Sequence, residues 1–206
     1  MFSREIVLAT RNAKKIEETK RILRGSFISI RTLDDFPQCP EVVEDGQTFE
    51  ENAVKKAVSV ARYTGQTALA DDSGLEVGAL GGAPGVASAR YAGGKPDDRM
   101  NLKKLLEELW SVRDEERQAR FVCCVALATP QGSVRTFWGC VEGTVAREPR
   151  GSRGFGYDPV FYPKGQGKTF GEMDDGEKDA ISHRGVALRA LKRHLTDEQE
   201  LNSGQG

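Results

Sequence analysis

No apolar run in this chain approaches the ~20 residues that a membrane-spanning helix requires. The first residues, MFSREIVLAT, lack a basic segment followed by an apolar stretch. The expectations are a protein without a membrane span or secretory signal, working in the cytoplasm. Four cysteines, Cys39, Cys123, Cys124 and Cys140, show neither CxxC spacing nor a Cys/His cluster that could hold zinc, so buried free thiols are expected. No excess of one charge is present either: 30 basic and 31 acidic residues give a formal charge of −1. That argues against a broad nucleic-acid surface but allows a local basic pocket for a small anion. G-x-S-x-G, H-E-x-x-H and G-x-G-x-x-G are all absent, which removes the commonest hydrolase, zinc-protease and Rossmann readings. The tempting GQGKT at 165–169 fails as a P-loop, because Tyr162 stands where that pattern needs glycine, and it reads as a surface turn.

What remains is an alternation of strand and helix patterns along 206 residues, with no repeat and no linker, expected to form a single domain over 1–206 with a frayed tail from about 197. IVLAT (6–10) reads as a buried strand, and AKKIEETKRILRG follows with Ile16, Thr19 and Leu23 on one helical stripe. In QTFEENAVKKAVSVARYTG, Thr48 and Glu51 have capping-box spacing, Phe49, Ala53, Ala57, Val60 and Ala61 form an apolar face, and Gly65 supplies the stop. TALAD predicts a strand ending in carboxylates, GALGGAPGVASARYAGG a glycine-rich loop, and DDRMNLKKLLEELW a third helix. ARFVCCVALAT and SVRTFWGCVEGTV, split by PQG, predict an antiparallel hairpin and hence a mixed sheet of the α/β class. GVALRALKRHL closes the pattern, with Val186, Ala187, Ala190, Leu191 and Leu195 expected on its inner face.

Three segments carry groups with chemistry. TRNAKK, residues Thr10, Arg11, Asn12, Ala13, Lys14 and Lys15, joins strand to helix, where free backbone N–H groups and two lysines favour an anion; an ordinary Asn cap is the alternative. The adjacent Asp71 and Asp72 are costly to bury unpaired. They suit Mg²⁺, with Glu44 or Asp45 as a further ligand, or else a solvated turn that caps Ser73 and Gly74. RGFGYDPVF (153–161) brackets Phe155 with glycines that let a planar base approach, unless its rings are simply core. Downstream, KDAISHRG sets Lys178, His183 and Arg184 just before the last helix.

In this order, VLATRNAKK, TFEENAVKKA, ADDSGLEV, GGAPGVASARYAG, GFGYDPVF and AISHRGVAL resemble the motifs of the inosine/xanthosine triphosphate pyrophosphatase family over nearly the whole chain. The resemblance implies an elongated two-lobed α/β fold around a long mixed sheet with helices on its faces, a cleft between the lobes, and a homodimer. It implies Mg²⁺-dependent hydrolysis of ITP, dITP and XTP at the α-phosphorus to a nucleoside monophosphate and pyrophosphate, with no nucleic-acid or membrane partner. Thr10, Asn12 and Lys15 would hold phosphates, Glu44 and Asp72 the Mg²⁺, and Asp72 would accept the proton of the attacking water. Phe155 would stack on the base in a pocket shaped by Gly156, Tyr157 and Asp158, Lys178, His183 and Arg184 would meet its edge, and Ser73 would lie alongside. Two positions depart from the family pattern: Lys14, where many members have Gly, and Asp179, where Asn is frequent. Two other readings stand beside this one: a metal-dependent phosphatase of a smaller metabolite, which gives Phe155 no purpose, and a non-catalytic nucleotide or RNA-binding module, which leaves Asp72 unexplained.

Overall fold

Each strand-forming run finds a place in one six-stranded mixed sheet of order β2-β1-β3-β4-β5-β6. The computed structural model describes residues 5–203, with side chains through 198. Strand β1 (Glu5–Leu8) pairs in parallel with β2 (Ser29–Thr32) on one side and with β3 (Thr67–Val77) on the other. Such parallel pairs need crossovers, which are supplied by helices α1 (Ala13–Ile22) and α2 (Phe49–Thr64). Strands β4 (Gln118–Ala128) and β5 (Val134–Val145) are neighbours joined by a turn in which Gly132 N–H bonds Thr129 O (3.0 Å), a connection short enough only to reverse the chain. β6 (Phe161–Pro163) adds antiparallel to β5. The remaining helices are α3 (Asp98–Glu108), α4 (Asp175–Ile181) and α5 (His183–Ser203). The α/β class with a mixed sheet is therefore as expected, and no helix among the described residues is long and apolar enough to cross a membrane.

Helix α2 begins and ends as its sequence directs. Thr48 Oγ1 accepts the Glu51 N–H (3.1 Å), and Gly65 closes the helix at φ +66°. The box is displaced by one residue, since the Glu51 carboxylate takes the Gln47 N–H (2.7 Å) in place of that of Thr48.

Three expectations are corrected. Strand β3 does not stop at the carboxylates but continues through Asp71 and Asp72 to Val77, because Leu75 and Val77 are wholly buried core residues that extend the strand. Helix α5 extends to Ser203, and residues 204–206 of the expected tail lie outside the described residues. Its inner face is Ala187, Leu188, Leu191 and Leu195, with Val186 and Ala190 only half-buried. Three of the four free cysteines are buried as expected, but Cys140 is exposed on β5.

The chain makes two compact units, neither continuous in sequence. The first comprises Met1–Asp72, Cys123–Gly139 and Arg184–Gly206. Its core includes Ile6, Leu8, Leu69, Val125, Leu127 and the inner face of α5. The second comprises Ser73–Val122 and Cys140–His183, with a core of Leu75, Leu105, Leu109, Phe121, Phe161 and Phe170. Phe121, Phe161 and Phe170 pack at centroid distances of 4.8 to 6.0 Å.

Candidate active site

In the first unit, the turn from β1 to α1 is organised by Asn12. Its Oδ1 accepts the N–H groups of Lys14 (3.0 Å) and Lys15 (3.2 Å), and its own N–H donates to Thr10 Oγ1 (3.1 Å). Asn12 is thus the helix cap, yet the turn it starts holds no acidic residue and carries Lys14 and Lys15 instead. A helix dipole penalises cations at that end, so an N-terminal turn charged in this way is suited to an anion. Arg11 turns aside to bond Cys39 O (3.0 Å), and Ala13 opens the helix.

Because side chains alternate along a strand, adjacent Asp71 and Asp72 face opposite sides of β3 and acquire separate partners. Asp71 takes Arg184 Nη2 at 2.9 Å and Lys15 Nζ at 3.1 Å, and Arg184 Nη1 bonds Glu18. Burial opposes ionisation of Asp71, but Lys15, Arg184 and Lys56 outweigh it and hold the carboxyl well below its ordinary range. Burial likewise opposes the charge on Arg184, and Asp71 with Glu18 overcomes it, so the group stays protonated.

The Asp72 carboxylate makes a different set of contacts. Its Oδ2 accepts Asn52 Nδ2 (3.0 Å), and Oδ1 lies 3.7 Å from Lys56 Nζ, which also bonds Glu44 Oε2 (2.9 Å) and Asp71 O (2.8 Å). Burial raises its pKa to about 6; Lys56, Lys15 and the Asn52 bond pull it down, while Glu44 pushes it up. A carboxyl poised near neutrality beside a second carboxylate is equipped to exchange a proton or bind a cation. Glu44 is brought there by Asn52, whose Oδ1 accepts the Gly46 N–H at 2.8 Å while its amide nitrogen donates to Asp72. No room exists for a side chain at Gly46, where a Cβ would lie 2.8 Å from Asn52 Oδ1.

Among the described residues no three His, Cys, Asp or Glu side chains form a metal cage. The two carboxylates Glu44 and Asp72 nevertheless fit Mg²⁺, which commonly takes one or two carboxylates and completes its shell with water and substrate phosphates. Like-charge repulsion from Glu44 on Asp72 is the strain a bound cation would relieve. Asp71, by contrast, is taken up by two cationic side chains.

Asn52 and Lys56 escape a reading that looks only for motifs. They lie on the apolar side of α2, 2% and 8% exposed, and polar residues interrupting an inward face are the signal that marks them.

In the second unit, Ser73 follows Asp72 in β3, and the 154–158 turn is pinned from within. Asp158 Oδ2 accepts both the Phe155 N–H (2.8 Å) and Lys178 Nζ (2.6 Å), and that ammonium lies 5.0 Å from the centre of the half-buried Phe155 ring. Gly154 must be glycine here: its φ is +73° and a Cβ would meet Asp158 Oδ2 at 2.1 Å. Gly156 also has positive φ, +59°. Tyr157 is buried and donates its hydroxyl to Ser88 O (2.8 Å), which makes it a brace for the turn. His183 is buried against Phe121, rings stacked at 4.6 Å. Of the groups expected at the base edge, Lys178 lies at the Phe155 turn, whereas Arg184 belongs to the carboxylate network of the first unit.

Comparison with known proteins finds relatives that match this chain over most of its length. The sequence model of the Ham1 family matches residues 6–194. A protein of Bacillus licheniformis named "dITP/XTP pyrophosphatase" is 50% identical over 192 residues, covering 93% of this chain and 98% of that one. A protein of the same name from Geobacter sulfurreducens is 53% identical over 190 residues, 92% of this chain and 96% of its own. Among solved structures, a HAM1 protein from Coxiella burnetii superposes with a TM-score of 0.86 at 45% identity, covering 96% of this chain and all (100%) of that one.

Proposed function

The chain belongs to the Ham1 family, and from that premise we propose that it hydrolyses noncanonical purine nucleoside triphosphates such as ITP, dITP and XTP to the monophosphate and pyrophosphate. It is a nucleoside triphosphate pyrophosphatase. The observation that carries the residue assignment is the near-neutral carboxyl of Asp72, set beside Glu44 and Lys56 in the same unit as a cationic helix start.

In this reading Thr10, Asn12, Lys15 and the N–H groups around them receive the triphosphate, with Arg11, Ala13 and Lys14 shaping the turn. Glu44 and Asp72 would hold Mg²⁺, which when bound would neutralise charge on phosphate oxygens. Asp72 accepts the proton of the attacking water, a transfer worth about 10²- to 10⁴-fold in rate. Lys56 keeps Glu44 and Asp72 together by its contacts with both. Phe155 stacks on the base, Gly156 and Asp158 set the shape of its seat, and Lys178 supplies a donor for a purine 6-oxygen that the 6-amino group of adenine cannot accept. Ser73 and His183 complete the assignment alongside these groups.

Product analysis on ITP, XTP, GTP and ATP tests the reading. The expected result is pyrophosphate from ITP and XTP, abolished by a chelator and restored by Mg²⁺. Orthophosphate as first product, or equal turnover of ATP, refutes it.

Four free thiols suit a reducing compartment, and we place the enzyme in the cytoplasm. A homodimer is part of the same proposal: Trp138 is 46% exposed on β5, an aromatic anchor of the kind interfaces use. Light scattering should return twice the 22.6 kDa chain mass, and a monomer at micromolar concentration would refute the dimer.

A further inference from the structure

We infer that helix α3 is the seat of the Phe155 turn and that Asp98 is a positioning residue for base binding, an inference that rests on the reading of Phe155 as the base platform. Two backbone N–H groups flank the Phe155 side chain, and each ends on a carboxylate: that of Phe155 on Asp158 (2.8 Å) and that of Gly156 on Asp98 Oδ2 (2.9 Å). Asp158 lies within the turn, whereas Asp98 reaches it from 58 residues away in sequence, on the first turn of α3.

The same helix anchors the glycine-rich segment as well. Asn101, 2% exposed, accepts the Ala92 N–H (2.7 Å) and donates to Ala89 O (2.9 Å). Lys104 Nζ donates to Tyr91 O (2.9 Å), and the Tyr91 hydroxyl bonds Glu108. That segment in turn holds the Phe155 turn through Tyr157 and Ser88 O. Ser88 is tied to the sheet, where its Oγ accepts the Leu75 N–H (2.9 Å).

The physical consequence concerns entropy. A turn with glycines at 154 and 156, both at positive φ, has many conformations when left to itself, and a ring carried by it stacks on a base only after those are given up. Holding both flanking N–H groups places the ring in advance, so the ordering cost is not charged against substrate binding. Asp98 does so with a charge-assisted bond, the stronger class. It acts through Gly156 and touches no reacting atom.

The test compares Asp98→Ala, Asp98→Asn and Phe155→Ala, measuring kcat and KM for ITP together with the melting temperature. Asp98→Ala should raise KM about tenfold while kcat stays within about twofold, since the lost interaction serves ground state and transition state alike. Asp98→Asn keeps an acceptor oxygen and should recover most of the loss. An unchanged KM in Asp98→Ala, with a raised KM in Phe155→Ala, overturns the role of Asp98 and leaves the base platform standing. An unchanged KM in Phe155→Ala overturns the platform reading itself. A fall in kcat and melting temperature together in Asp98→Ala, without rescue by Asn, makes Asp98 a purely structural helix residue and also overturns the inference.

Discussion

Asp72→Asn should abolish all but a residual turnover, a loss of about 10²- to 10⁴-fold, and yet yield a more stable protein. The second half of that expectation follows from the environment of the carboxyl. Its pKa is raised to about 6 in the folded state from an ordinary 3.8, so the folded protein binds this proton more tightly than the unfolded chain does. Stability from this group is therefore fully present below about 3.8 and lost as pH rises through about 6. Above that, the folded state bears the cost of an ionised, mostly buried carboxylate. A rise of this size corresponds to an upper bound of about 3 kcal/mol. Asparagine keeps an oxygen to accept the Asn52 amide and carries no charge, so at pH 7.5 in chelator the variant should gain about 2 kcal/mol, or about 4–8 °C in melting temperature. The gain should vanish near pH 4, where the wild-type group is largely protonated. Calorimetry of both proteins across pH 4–8 checks this, and near-normal turnover by Asp72→Asn would refute its catalytic role. Such an exchange of stability for activity is what a functional carboxylate in the middle of a strand imposes.

Arg184→Ala should be the most destabilising single change at the site, costing about 3–5 kcal/mol by urea denaturation. The guanidinium side chain is 2% exposed and joins Asp71 to Glu18, so its removal takes a buried cation from two buried carboxylates at once and leaves Asp71 with Lys15. Lysine should rescue little, because one ammonium cannot reproduce Nε and Nη2 on Asp71 together with Nη1 on Glu18. A double substitution, Asp71→Asn with Arg184→Met, should recover part of the loss because fewer charges remain buried without a partner. The base-edge role expected from the sequence makes the opposite prediction: weaker discrimination between ITP and ATP with an unchanged unfolding free energy. Loss of stability with unaltered discrimination would assign Arg184 to the network alone.

Glu18 was invisible as a functional neighbour, since nothing in EETK distinguishes it from its exposed neighbour Glu17 until helix α1 turns it inward. Tyr157 shows the same limitation in another form. An aromatic between Gly156 and Asp158 invites a reading as pocket wall, but whether its ring meets a ligand or the core depends on where residues 85–90 pass, and these supply the Ser88 carbonyl it bonds. Strand β6 and helix α4 are too short, 3 and 7 residues, to announce themselves by periodicity.

By itself the sequence determined what local chemistry controls: the strands β1, β4 and β5 from their β-rich runs, helix α2 from its apolar stripe, Thr48 cap and Gly65 stop, and the Asn12 turn with its lysines. The order of its motifs also determined the family. Only the tertiary structure decided that β3 runs on past Asp71, that the two neighbouring aspartates face opposite sides, and that one meets Arg184 while the other shares Lys56 with Glu44. The reason is physical. Propensity and capping act within a few residues, whereas the protonation of Asp71 is set by burial and by charges that the chain brings to it from 56 and 113 positions away.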